Sequence, residues 1–253
     1  MLWEPKRRHF VMVDAPDSAT SITDGGAGTR LTAAVDELLD GATPRVVDII
    51  YSHAHLDHIG ATRRVVDHIR AAHPSTRVAI WGTDESDEVV RRSTTDRALR
   101  VTRQVPLSGT TLRLARGLRL DLHVVGGHTA TDLAIHIPRT RRDGGAPGVL
   151  HHVDVVFPGW SPPSMLAFTD DVARFRDVHG KLLALDWEVL SAGHVGRLGT
   201  RADVVTGGRL LRQLQMDVCA REMLAKWGCK LARMDVMIRP HCRAAVGYVS
   251  IEA

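Results

Sequence analysis

The chain has 253 residues, 44% hydrophobic and 25% charged, ordinary values for a globular protein long enough to bury a sizeable core. No apolar run approaches the roughly 18–20 residues of a membrane span, and the start lacks the apolar stretch of a secretory signal, so a cytoplasmic protein without membrane attachment is expected. A pI of about 9.3 invites a nucleic-acid reading, but the net charge is only +4, the arginines are scattered, and 4% aromatic content leaves little to stack on bases. A small-molecule partner is the better expectation.

Residues 10–14 read as a short strand, followed by a polar, glycine-rich loop through Gly28. Leu31, Ala34, Val35, Leu38 and Leu39 have the period of an amphipathic helix that stops at Gly41. Residues 45–51 are β-branched and apolar, which predicts a buried strand. From Asp57 the pattern turns helical, through Ile59, Val65, Val66 and Ile69, and residues 77–81 are strand-like again. This is strand–helix–strand alternation. Residues 110–125 predict two strands turning near Arg116 and Gly117, and residues 133–137 and 149–157 a further pair joined by a loop over 140–148. Residues 169–185 read as a helix, 187–190 as a short strand and 191–194 as a loop. A long helix is predicted over 201–234, with a break at Gly228, and a last strand over 244–251. The pattern resolves into two β-plus-helix halves meeting near residues 106–110. Cys219, Cys229 and Cys242 are odd in number and close to the C-terminus, which suits free thiols in a reducing compartment.

The informative stretch is Ser52-His53-Ala54-His55-Leu56-Asp57-His58, at the end of the strand over 45–51. Side chains at i and i+2 of an extended chain point the same way, so His53 and His55 can reach one ion together. Asp57 and His58 then project from the first turn of a helix towards a neighbouring ion. Imidazole and carboxylate at this density suit zinc, iron or manganese better than calcium, against the plain alternative of a chance surface cluster. Three further candidates stand at element ends: His128 after Gly126-Gly127, Asp154 within its predicted strand, and His194 in the loop after Ser191.

Together, His53-Ala54-His55-Leu56-Asp57-His58, Gly126-Gly127-His128, Asp154 and Gly193-His194 resemble the metallo-β-lactamase superfamily, over about residues 10–200. The resemblance implies an α/β fold, a four-layer αββα sandwich, here with a C-terminal helix-rich extension over 201–253 packed on a catalytic domain over 1–200. It implies two divalent metal ions, zinc above iron or manganese: His53, His55 and His128 on the first, Asp57, His58 and His194 on the second, and Asp154 bridging both. A hydroxide shared by two such ions is a nucleophile near neutral pH. Asp57 gains a second task, orienting that hydroxide and carrying a proton to the leaving group.

Ligand identity narrows the branch. Zinc β-lactamases of the cysteine type carry Cys where Asp154 stands, whereas glyoxalase II, lactonases and alkylsulfatases share this ligand set. The resemblance therefore implies a dinuclear hydrolase of an ester, thioester or lactone, with two alternatives: a mononuclear iron dioxygenase acting on persulfides, and a metal-dependent nuclease. Phe157 and Trp160 follow Asp154 closely and are expected to rim the substrate cleft; Trp81 and His152 are weaker candidates, and His241 lacks a partner spacing. Two departures stand out. Barely ten residues precede the strand over 10–14, too few for the usual N-terminal hairpin, leaving an edge for a second subunit or the C-terminal segment to cover. Val153 stands where glycine commonly precedes the bridging aspartate.

Overall fold

The computed structural model describes residues 1–17, 26–115, 118–139, 145–159, 169, 171–194 and 196–226, the side chains of 26–29 and 214–226 excepted. The chain forms two compact units, Met1–Val124 and Val125–Ala253.

In the first unit, β1 (Leu2–Glu4), β2 (His9–Val13), β3 (Val46–Ile50), β4 (Arg77–Gly82) and β5 (Arg103–Gln104) form one mixed sheet in that order. β1 runs antiparallel to β2, pairing Leu2 with Val11, so the hairpin that the short N-terminus was expected to lack is present. Three residues suffice, because Glu4 accepts the backbone N–H of Arg7 and closes the turn. The remaining pairs are parallel, with Val13 beside Ile50 and Ile50 beside Trp81. Parallel strands need crossovers, and α1 (Gly26–Leu39) and α3 (Thr62–Ala72) supply them. Phe10, Met12, Val47, Ile49 and Tyr51 pack with Val35, Leu39, Val65, Val66 and Ile69 of these helices in one core. Each fully buried aliphatic side chain contributes roughly 1.5–3 kcal/mol. The alternate face of β3 carries Asp48, whose carboxylate accepts from Trp81 Nε1 at 2.7 Å and pairs with His9 Nε2 at 2.6 Å, tying three strands together. Trp81 is thus engaged by its own sheet.

Two helical boundaries differ from expectation. α1 begins at Gly26, inside the predicted glycine-rich loop. Docking of Leu31, Val35 and Leu39 on the core outweighs the cost of about 1 kcal/mol for each helical glycine. A further helix, α4 (Asp84–Arg92), was not apparent from hydrophobic period, since only Ser86 and Val90 are buried. Its signals are at its ends: Thr83 Oγ1 accepts from Ser86 N, acids fill the first turn, and Arg91 and Arg92 the last. The hairpin β6 (Thr110–Ala115) and β7 (Leu118–Val124) completes this unit, with Leu112, Leu114, Leu120 and Leu122 buried. The turn at Arg116 and Gly117 lies outside the described residues.

In the second unit β8 (Leu133–Ile137), β9 (Val149–His151), β10 (Val189–Ser191) and β11 (Leu198–Gly199) are neighbours in that order, with β9 and β10 parallel and the other pairs antiparallel. α5 (Val172–Leu183) is capped by Asp171, whose Oδ1 accepts from Arg174 N at 3.0 Å, and packs against α6 (Arg201–Lys226). Phe175, Val178, Leu182, Trp187, Leu190 and Val204 form its core. The strand predicted over 149–157 ends at His151: His152 N still donates to Ser191 O at 3.2 Å, and the chain then bends, so Asp154 lies on a loop. No helix among the described residues is long and apolar enough to cross a membrane. The predicted helix break at Gly228, the strand over 244–251, Trp160, Cys229, His241 and Cys242, the side chain of Cys219 and most of the 140–148 loop lie outside the described residues.

Candidate metal centre

The histidine-rich segment leaves β3 at Ile50 and enters α2 (Leu56–Ile59), with His55 at the N-cap position in an extended conformation. His53 and His58 are buried, while His55 and Asp57 are exposed. Their rings gather on one side: His53 and His55 have centroids 4.6 Å apart, edge to face, and His53 and His58 4.4 Å apart. His58 Nε2 lies 3.6 Å from Asp57 Oδ2.

The orientation of these rings comes from two residues that sequence reading missed, Asp14 and Ser52. Asp14 follows β2 directly at φ +57°, a left-handed conformation that Asp tolerates better than most side chains. Its Oδ1 accepts from Ser52 N at 2.7 Å, and its Oδ2 accepts from Ser52 Oγ at 2.7 Å and from His58 Nδ1 at 2.9 Å. Ser52 Oγ, having donated its proton to Asp14, accepts from His53 Nδ1 at 3.1 Å. Both imidazoles are thereby set in the Nδ1–H tautomer, with the lone pair on Nε2. The chain stays tight here: Ala15 N donates to His58 O, Ala61 N donates to Ala15 O, and a Cβ on Gly60 would come within 2.5 Å of Leu56 O.

The second unit carries the other candidates. Gly126 and Gly127 have φ +66° and +134°, and a Cβ on Gly127 would press on Val155 and Val178 at 3.1 Å. Glycine here lets the chain deliver His128 into a buried position. Asp132 fastens that turn, accepting from His128 N at 2.6 Å and from the backbone and hydroxyl of Thr129. Burial pushes its carboxyl up to about 7, against the opposing effect of those donors. Asp154 is buried at φ +62°, and His194 sits at φ +59°. Asp154 Oδ2 lies 3.7 Å from His128 Nε2, and Asp154 Oδ1 lies 3.0 Å from His194 Nε2. One carboxylate thus places an oxygen beside each of two imidazoles.

Val153, the residue in place of the usual glycine, finds its room at Gly193: a Cβ there would lie 2.9 Å from Val153 Cβ and 3.3 Å from Asp154 Oδ1. His152 turns away, its Nδ1 donating to Leu133 O at 3.2 Å, and burial drives its pKa down to about 4. Phe157 is buried and stacks on His194 at 6.4 Å between centroids, lining a cavity of about 270 Å³ with Val155, Val156 and Gly207. Zinc, iron and manganese all suit these donors: imidazole nitrogens with set tautomers and carboxylates, with no sulfur among them. Within each unit, the ligand atoms of His53 and His55, of Asp57 and His58, and of His128 and Asp154 lie within 4.8 Å of one another.

Comparison with known proteins agrees with this reading of the fold. The family model of the metallo-β-lactamase superfamily matches residues 13–142. Among solved structures, the chain resembles a metallo-β-lactamase from Pontibacter korlensis (15% identity, 81% of this chain and 83% of that one, TM-score 0.60). It also resembles a metallo-β-lactamase of Cronobacter sakazakii altered in its HARLDQ motif (16% identity, 84% and 87% covered, TM-score 0.55). A B3 metallo-β-lactamase with an active-site glutamic acid is similar to the same degree (18% identity, 80% and 79% covered, TM-score 0.54). No curated protein matches the chain. At these identities the structural likeness speaks for the fold alone, and the matched model spans half of the sequence: the chain belongs to the metallo-β-lactamase superfamily.

Proposed function

We propose that the chain is a dinuclear metal-dependent hydrolase of an ester, thioester or lactone. In this reading His53, His55 and His128 would hold one ion, Asp57, His58 and His194 the other, and Asp154 would serve both. The observation that supports it is the Asp14–Ser52 hydrogen-bond system, which occupies Nδ1 of both His53 and His58, so that Nε2 is the nitrogen that would coordinate. A chance surface cluster has no need of such support.

Divalent metal held by these residues, zinc foremost, would supply an acidified water and polarise the attacked carbonyl. The chain's residues do the rest. Asp57 is the catalytic carboxylate: its side chain is 54% exposed, unlike the buried His58 beside it, so it is open to both substrate and solvent. It orients the attacking water through one oxygen and passes the proton it receives to the departing alcohol, thiol or ring oxygen. Asp14 and Ser52 hold the imidazoles still, and Asp132 holds the turn that presents His128. Phe157, beside His194, offers an apolar wall for the acyl portion of the substrate, with Trp160 beyond it in sequence.

A panel of p-nitrophenyl esters, acyl-thioesters, lactones and a chromogenic cephalosporin, run with and without chelator, tests this. Turnover of at least one ester, thioester or lactone, lost with chelator and restored by zinc, is expected, and turnover of the cephalosporin alone would contradict the substrate class. No hydrolysis of any, with oxygen uptake on a persulfide, would replace the hydrolase by an iron dioxygenase.

A further inference from the structure

A second concavity lies in the first unit, bordered by α3, α4 and β4, with a volume of about 450 Å³. None of its lining residues belongs to the proposed ligand sets. Its floor is apolar: Val78 and Leu99 are partly exposed in it, over the buried Val66, Ile80 and Val90 of the core. Its rim is cationic: Arg63, Arg70, Arg91 and Arg100 border it, with Asp96 the one carboxylate among the lining residues.

Three of these arginines are already engaged. Arg91 forms a two-point pair with Glu88, Arg100 does the same with Asp87, and Arg63 Nε lies 3.6 Å from Asp96 Oδ2. Such pairs contribute little to stability at an exposed surface, but they hold the guanidinium planes in place. Arg70 differs, forming no ion pair among the described residues. Its place in the last turn of α3 suits the helix dipole, which accounts for a cation there but not for an apolar hollow beside it. A hollow of this size falls within the range of small-molecule sites, which combine apolar walls with a few polar anchors. A guanidinium is the side chain best shaped to take a carboxylate or phosphate at two points.

We propose that this concavity binds an amphipathic anion, a carboxylate or phosphate head on an aliphatic body, with the head on Arg70 and the body over Val78 and Leu99. The inference stands independently of the hydrolase reading.

Calorimetric titration of the full chain with decanoate and with decyl phosphate tests it and separates the two head groups. Decanol supplies the body without the charge, and butyrate the charge without the body. At least one decyl anion is expected to bind, roughly tenfold or more tighter than decanol or butyrate. Arg70→Glu, at an exposed helix position, and Thr95→Trp, which fills the lining, should each weaken that binding by about tenfold or more. The proposal is overturned if neither decyl anion binds, if decanol binds as well as the anions, or if affinity is unchanged in either variant, which would seat the ligand elsewhere.

Discussion

Asp14 Oδ2 lies 2.9 Å from His58 Nδ1, although 44 residues separate them in the chain. The link exists because β2 and β3 are parallel neighbours that end together, Val13 beside Ile50. Asp14→Asn keeps the left-handed backbone but replaces one acceptor oxygen by a donor. Metal affinity is expected to fall about 10–100-fold, with a loss of roughly 1–3 kcal/mol in stability. Chelator competition and urea denaturation measure the two effects.

Asp57→Asn should separate chemistry from ligation. The amide oxygen still coordinates but carries no proton, so kcat is expected to drop about 100-fold or more while metal content stays near that of the parent chain. Steady-state kinetics beside elemental analysis decide. Loss of one ion in step with activity would reduce Asp57 to a ligand.

Gly193 and Val153 share one space, and the pair can be tested as a cycle. Gly193→Ala places a methyl 2.9 Å from Val153 Cβ and 3.3 Å from Asp154 Oδ1. The variant should lose about 1–3 kcal/mol and shift the Asp154 carboxylate, lowering metal affinity. Val153→Gly in the same chain relieves the clash, giving a coupling of roughly 0.5–3 kcal/mol in denaturation.

His179 predicts how stability follows pH. Burial lowers its pKa from the ordinary 6.5, and the positive charge of Arg212 acts in the same direction. The ring packs beneath Gly207 and Gly208, where a Cβ would come within 3.1–3.2 Å of it. A histidine lowered in the folded state binds fewer protons there than in the unfolded chain, so its contribution to stability is present above pH 6.5 and lost as pH falls below it. Thermal melts from pH 7.5 to 5 should show a smaller loss for His179→Leu than for the parent chain.

Legibility from sequence followed locality. His53, His55, Asp57 and His58 stand out because a strand end and a helix start place them together within six residues. The strands at 9–13, 46–50 and 77–82 are equally plain, since each is an apolar run bounded by turns. Asp14 and Ser52 were invisible because their task depends on which strand lies beside which. The continuation of the strand through Asp154 was misjudged for a related reason: Val153, Val155 and Val156 have the composition of a strand, but among the described residues no strand pairs with them. α4 was missed because its evidence lies in its caps and charges, not in an apolar face.

Elemental analysis of the chain purified without added metal, followed by zinc titration, tests the central claim most directly. The account predicts about two divalent ions per chain, falling to about one when Asp154 is replaced by Ala. A single iron per chain, or no bound metal with all seven donors intact, would contradict it.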